Sequence, residues 1–150
     1  MANNYIAPIT ATGITYRVVA SETFPNGFDI TELADDTDPF DFPDADIAEY
    51  GIALNGTLVT WNKAVALPVT FNIVPTLDED KNLTALYNAN RRTKDHQPAG
   101  DIITITANYP DGTKHTLTNG IIVSGSPLAG VAQNGRFKTR TFTFVFANAG

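Results

Sequence analysis

The side chains best suited to chemistry in this sequence are its acids, and they are gathered in one place. Residues 31–50 read TELADDTDPFDFPDADIAEY and hold eight carboxylates and no basic residue. Asp36, Asp38, Asp44 and Asp46 are hard oxygen donors of the kind calcium takes. Their spacing lacks the central Gly and terminal Glu of an EF-hand loop, and Pro39 and Pro43 break such a loop. Paired carboxylates also serve glycosidases, but no cleft aromatics are grouped around two of these acids. His96 and His115 fall in a loop and in a strand without H-x-x-x-H spacing, and a zinc site here would have to be completed by oxygen alone. Cysteine is absent, which excludes disulfides, thiol catalysis and thiolate-held metal. SGSPLAG, residues 124–130, lacks the Lys and the strand-to-helix setting of a phosphate loop and reads as a loop. Trp61 and the tyrosines would in principle form a sugar platform, though a lone Trp in a strand more often packs in a core or an interface. The reading is of a chain with no catalytic residue, no metal and no cofactor.

The elements that would carry these residues are mostly strands. VTFNIV puts Val69, Phe71 and Ile73 on one face, KTRTFTFVF does so with Phe142, Phe144 and Phe146, and ITITA with Ile103 and Ile105. Alternation of period two marks half-buried antiparallel strands. Pro25-Asn26-Gly27, Asn55-Gly56, Pro110-Asp111-Gly112 and Asn134-Gly135 are turn signals between β-forming runs. Asn119-Gly120 lies inside a strand-like run and reads as a bulge or bend. One helix interrupts the pattern at about residues 77–92. Thr76 and Glu79 have capping-box spacing, Asp78–Asp80 lie in the first turn, and Arg91, Arg92 and Lys94 lie at the far end. Leu83, Leu86 and Tyr87 form its apolar stripe. The expected fold is mainly β: an antiparallel β-sandwich or small barrel over residues 1–150 as one domain, with one flanking α-helix and a long acidic loop at about 31–46.

Charge narrows the function classes. The net charge is −6, with nine of the sixteen acids between Asp29 and Glu49 and no Lys or Arg between Val18 and Asn62. Cations cluster at Lys81, Arg91, Arg92 and Lys94, and at Arg136, Lys138 and Arg140. Such a chain does not grip nucleic acid by neutralising phosphate, although it can surround it. No secretory signal opens the sequence and no apolar run reaches membrane length, so the expectation is a cytoplasmic start and no membrane insertion. The separated charges imply that unlike regions meet, within the fold or between copies. The plainest alternative is a solvated acidic loop.

The hairpin DIAEYGIALNGTLVTWNKAV, the strand LPVTFNIV, Pro75-Thr76, the helix with NLTALYN and the closing ITITANYPDGTKHTLTNGIIVSGSP…RFKTRTFTFVFA resemble, in that order, the tail tube proteins of contractile-tailed bacteriophages. Those proteins share a fold with the secreted tube of type VI secretion systems. The resemblance covers roughly residues 46–148. It implies hexameric rings stacked into a hollow tube through which phage DNA passes, with no active site. It also implies partners in the sheath, baseplate and tail terminator, and a place in the virion after assembly in the host cytoplasm. The alternative is a non-catalytic β-sandwich binding or baseplate-type module.

Within that frame the acidic stretch reads as an assembly arm. Phe40 and Phe42 are its apolar anchors, and Asp35, Asp36, Asp38, Asp41, Asp44 and Asp46 face cations of another copy: Arg91, Arg92, Arg136, Lys138 and Arg140. Glu49 is a candidate for the bore wall. Deleting residues 35–45 is then expected to leave the monomer folded and to abolish tubes. Calcium titration followed by melting temperature and aromatic fluorescence is expected to show no saturable response; a saturable rise would move the acids from arm to metal site.

Overall fold

The computed structural model describes residues 13–31, 33, 40–126, 130, 131, 133 and 135–149. Asp35, Asp36 and Asp38 lie outside them. The elements are β1 (Thr15–Ala20), β2 (Phe24–Ile30), β3 (Phe40–Asp41), β4 (Ala48–Ile52), β5 (Leu58–Asn62), β6 (Leu67–Ile73), α1 (Asp78–Asn90), β7 (Ile103–Asn108), β8 (Lys114–Gly125) and β9 (Arg140–Ala149). Seven strands form one antiparallel sheet in the order β2-β1-β7-β8-β9-β6-β3, and β4 and β5 form a separate two-stranded sheet. The fold is therefore mainly β with one helix, as the alternation predicts. It is a single curled sheet of barrel type rather than two stacked layers.

The curl follows from what the inward residues are. Phe71, Phe142, Phe144 and Phe146 are buried with Val69, Ile73, Ile103 and Ile105, the faces the period-two reading assigned together. Tyr16 on β1 and Phe40 on β3 sit near opposite ends of the sheet order, yet their rings are 4.6 Å apart. Both also pack on Phe71, at 5.1 and 5.0 Å. The two ends of the sheet thus meet through aromatic rings. Past the end of β2, Leu33 bridges to Ile73 on β6, which brings the chain across the gap.

β8 makes room for this. Gly120 pairs with Phe146, and a Cβ there would stand 2.2 Å from that ring. Asn119 has φ +55, and the register between β7 and β8 slips between Ile103 and Ile105. Asn119-Gly120 is a bulge inside a continuous strand, which bends the strand and raises its twist. The first hairpin differs from the sequence reading. Its turn lies at Ser21–Thr23, and Pro25-Asn26-Gly27 falls inside β2 as an irregularity between the Val18–Phe28 and Ala20–Phe24 pairs. Gly27 has φ +75 and its Cα faces the Val18 carbonyl so closely that a Cβ would approach it to 2.8 Å. The Asn-Gly signal is a demand for positive φ, and a bulge meets that demand as well as a turn does.

The helix also starts differently. Thr76 holds φ +69, Leu77 is the N-cap with no side-chain cap, and the Thr76 N–H donates to Asp80 Oδ2 at 2.9 Å. Glu79 is not a capping-box partner. It turns inward and accepts from Thr31 N–H at 2.8 Å and Thr31 Oγ1 at 2.9 Å, tying the helix to the chain just before the acidic stretch. Tertiary partners outbid the local motif. The last turn carries no base; Arg91 is the C-cap and Arg92 lies beyond it. Leu83 and Leu86 are buried and Tyr87 packs against the core.

Two buried polar centres fix the loops. Asp101 accepts from the backbone N–H groups of Glu22 and Thr23 at 2.7 and 2.8 Å, from Thr23 Oγ1, and from Asn90 Nδ2 at 2.8 Å. It joins the β1–β2 turn to the end of α1. Arg140, which the sequence grouped with surface cations, is 5% exposed. It lies 3.4 Å from Asp80, donates to Thr84 Oγ1 at 3.0 Å and to the Ser126 carbonyl at 2.6 Å. It binds the helix to β9 and is not available to another copy.

The acidic stretch is likewise less free than expected. Phe40 and Asp41 pair with Phe71 and Thr70 on β6, and the Phe40 ring is half-buried against the core. Deleting residues 35–45 would therefore remove an edge strand and part of the aromatic contact between sheet ends, so the folded monomer would be weakened. Phe40→Ala alone is expected to lower stability by about 2 kcal/mol, somewhat below the range for a fully buried Phe, read by urea unfolding. Burial pushes the Asp101 carboxyl up, but its hydrogen bonds outweigh this and hold it below the ordinary value. Its folded pKa is depressed, so its contribution is complete above the unfolded value of about 3.9 and is lost as pH falls through the folded value. Asp101→Asn is expected to cost about 2 kcal/mol near neutral pH. The difference from the parent should shrink as pH is lowered below the ordinary carboxylate range; a constant difference would contradict the assignment.

Candidate assembly surface

The β4–β5 hairpin forms because Asn55-Gly56 closes a tight turn between two β-forming runs. Glu49 pairs with Trp61, Tyr50 with Thr60, Gly51 with Val59 and Ile52 with Leu58. Alternation then puts Tyr50, Ile52, Leu58 and Thr60 on one face, and Glu49, Val59 and Trp61 on the other. Both faces are open to solvent. Tyr50 is 77% exposed, Ile52 66%, Leu58 58% and Trp61 49%. Neither strand joins the large sheet. A lone two-stranded hairpin is marginal in water, and one with apolar groups on both faces leaves them all wet.

Glu49 forms an ion pair with Lys63 at 2.8 Å. Trp61 is on the hairpin and not in the core. The sequence placed the hairpin correctly but missed its exposure. The signal was present: apolar residues fall at successive positions, as in Leu58-Val59, so no one face of the hairpin could be the buried one.

A second feature lies where the acidic stretch meets the body. Phe40 and Phe42, with ring centres 6.2 Å apart, border a cavity of about 350 Å³ whose other walls include Tyr109, His115 and Leu117. His115 stands edge-on to Tyr109 at 5.2 Å. Phe42 is 40% exposed. Tyr16 packs against Phe40, and burial and then the Tyr109 phenol push its hydroxyl far above the ordinary tyrosine value.

The remaining residues singled out from sequence are scattered. Asp41, Asp44 and Asp46 are exposed, and among the described residues no salt bridge joins them to a base. Arg91 and Arg92 are exposed past the helix, with Arg92 donating to Gln97 at 2.9 Å. Arg136 and Lys138 are exposed on the segment before β9, and the Lys138 N–H donates to the Gly130 carbonyl at 2.7 Å. Among the described residues no three His, Asp or Glu side chains are grouped as metal ligands, and no helix is long and apolar enough to cross a membrane.

Solved structures that share the fold of this curled sheet include components of contractile injection systems. The tube-terminating cap of the anti-feeding prophage aligns over 100% of this chain and 93% of its own, with a TM-score of 0.52 and 13% identity. The sheath/tube terminator of an extracellular contractile injection system, PVC, aligns over 99% and 98% at 0.50 and 12%. A chain of the anti-feeding prophage baseplate aligns over 97% and 96% at 0.50 and 9%. At these identities the likeness is one of fold. No curated protein matches the sequence. The family model described as tail fiber protein gp32 matches residues 7–150, and the chain belongs to that family.

Proposed function

We propose that this chain is a structural, non-catalytic subunit of a phage tail tube, assembling with itself into stacked rings, six-membered in the tube architecture, through which DNA passes. The observation that carries the reading is the β4–β5 hairpin, which displays exposed apolar side chains on both faces and pairs with no strand of the large sheet. Burying such a hairpin against neighbouring copies removes the penalty of exposing it. The shared fold with a tube cap, a sheath/tube terminator and a baseplate component supports the same assembly class. Sheath, baseplate and terminator proteins are the further partners, the virion tail is the site of action, and the host cytoplasm is the site of assembly.

The acidic segment joins this as an inter-subunit element. Asp41, Asp44 and Asp46, with Asp35, Asp36 and Asp38, face the exposed cations Arg91, Arg92, Arg136 and Lys138 of another copy. Phe42 is the anchor left for that contact, since Phe40 is used at home. Glu49 belongs near the bore wall, where its pair with Lys63 adds no net charge; the chain's overall −6 supplies the repulsion that keeps DNA from sticking. A second reading, a fibre or baseplate component, is favoured by the family's description and by the baseplate likeness.

Purified protein is expected to form rings or tubes in negative stain, and antibody against it to label the tail axis of virions. Labelling of fibres or baseplate alone would favour the second reading. Replacing Tyr50 and Trp61 together by Ser should leave the melting temperature nearly unchanged and weaken assembly at least about tenfold, measured by sedimentation. Raising salt should weaken assembly of the parent chain as the charge contacts are screened.

A further inference from the structure

The turn that ends the β4–β5 hairpin is tied by three hydrogen bonds, and it carries a leucine at its most exposed point. The Gly56 N–H donates to the Ala53 carbonyl at 2.8 Å, and the Ala53 N–H to the Thr57 carbonyl at 2.9 Å. The Thr57 N–H donates to Asn55 Oδ1 at 3.0 Å. Leu54 sits inside this frame at 110% relative exposure, touching nothing that shields it. Turn tips favour Gly, Pro, Asn, Asp and Ser, so a large apolar residue there is out of keeping with a free surface. Five residues of strand at ~3.3 Å each carry the tip roughly 17 Å beyond Ala48.

The body of the subunit holds a feature of matching chemistry. The cavity of about 350 Å³ under Phe42 is walled by Phe40, Ala107, Tyr109 and Leu117 and is open to solvent on one side. We infer that this cavity is the receptor for Leu54 of a second copy of the chain. The inference rests on the self-assembly reading above and names the contact by which it proceeds.

Three observations select that occupant. Leu54 is fully exposed, so it does not fill the cavity of its own subunit. The hairpin's charges, Glu49 and Lys63, neutralise one another, so the tip arrives as a neutral apolar knob. The cavity is walled by Phe40, Phe42, Ala107, Leu117 and Ala149 beside Tyr109 and His115, a largely carbon surface suited to an apolar side chain. A turn whose backbone is already hydrogen-bonded has less conformational freedom to lose on binding than an open loop. A knob and a cavity on one chain that do not meet within that chain make a head-to-tail contact between copies. Such contacts generate closed rings or open helical assemblies rather than two-fold dimers.

The absence of cysteine gives a direct test. Ala149 lies at the cavity wall and is exposed. Chains carrying Leu54→Cys and Ala149→Cys together are expected, on mild oxidation of the assembled protein, to give a ladder of covalent oligomers. Mixing the two single variants should give dimers only. Ile121→Cys on the outer face of β8, combined with Leu54→Cys, is the control and should give no ladder. Independently, Leu54→Asp should weaken assembly at least about tenfold at unchanged melting temperature, while Leu54→Met preserves it. Assembled particles without the 54–149 bond, or with equal bonding at 121, would overturn the receptor assignment alone. A chain that stays monomeric at every concentration and in the virion would overturn the self-assembly reading and this contact with it.

Discussion

The structure depends on a sheet whose two ends are held together by side chains rather than by a closed ladder of backbone hydrogen bonds. Tyr16, Phe40 and Phe71 meet across the gap, and Phe144 continues the contact into the centre at 5.9 Å from Phe71. Edge-to-face and tilted ring pairs tolerate the irregular geometry of such a seam better than backbone pairing does. The bulges in β8 and the glycine opposite Phe146 supply the bend that brings the ends within reach. Without the rings the curl would leave a wide opening over the core. Without the bulges the rings would not meet.

That seam changes the meaning of the acidic stretch. Its start is tied by Thr31 to Glu79 and by Leu33 to Ile73, and Phe40 is drawn into the seam. A segment whose composition argues for a free arm is in fact clamped to the body at both ends of its most acidic part. The buried carboxylates and Arg140 act in the same spirit. Each ties a loop or the helix to the sheet through several hydrogen bonds, which offsets part of the cost of taking charge out of water. Together they fix α1 and the start of β9, beside which the exposed cations Arg91, Arg92 and Lys138 lie.

The hairpin is the opposite case. It has regular pairing and a well-formed turn, and yet both faces carry apolar side chains in water. Local rules are satisfied there while the burial rule is not, which is the pattern expected of a surface built to be covered. The chain belongs to the tail fiber protein gp32 family, and its fold is shared with a tube-terminating cap.

Much of the architecture could be read from the residues. The inward faces of β6, β7 and β9, the bulge at Asn119-Gly120, the β4–β5 and β7–β8 turns and the position of the helix are all dictated by alternation, turn chemistry and apolar spacing, which are local. What the tertiary structure decided is where residues of similar local character end up. Glu79 has the spacing of a cap and becomes an anchor for Thr31; Arg140 sits in a run of exposed cations and becomes buried against Asp80; Phe40 and Phe42 are two residues apart, and one closes the core while the other stays at the surface. These outcomes depend on which groups the curled sheet brings close across long sequence separations. Local pattern carries no record of those distances.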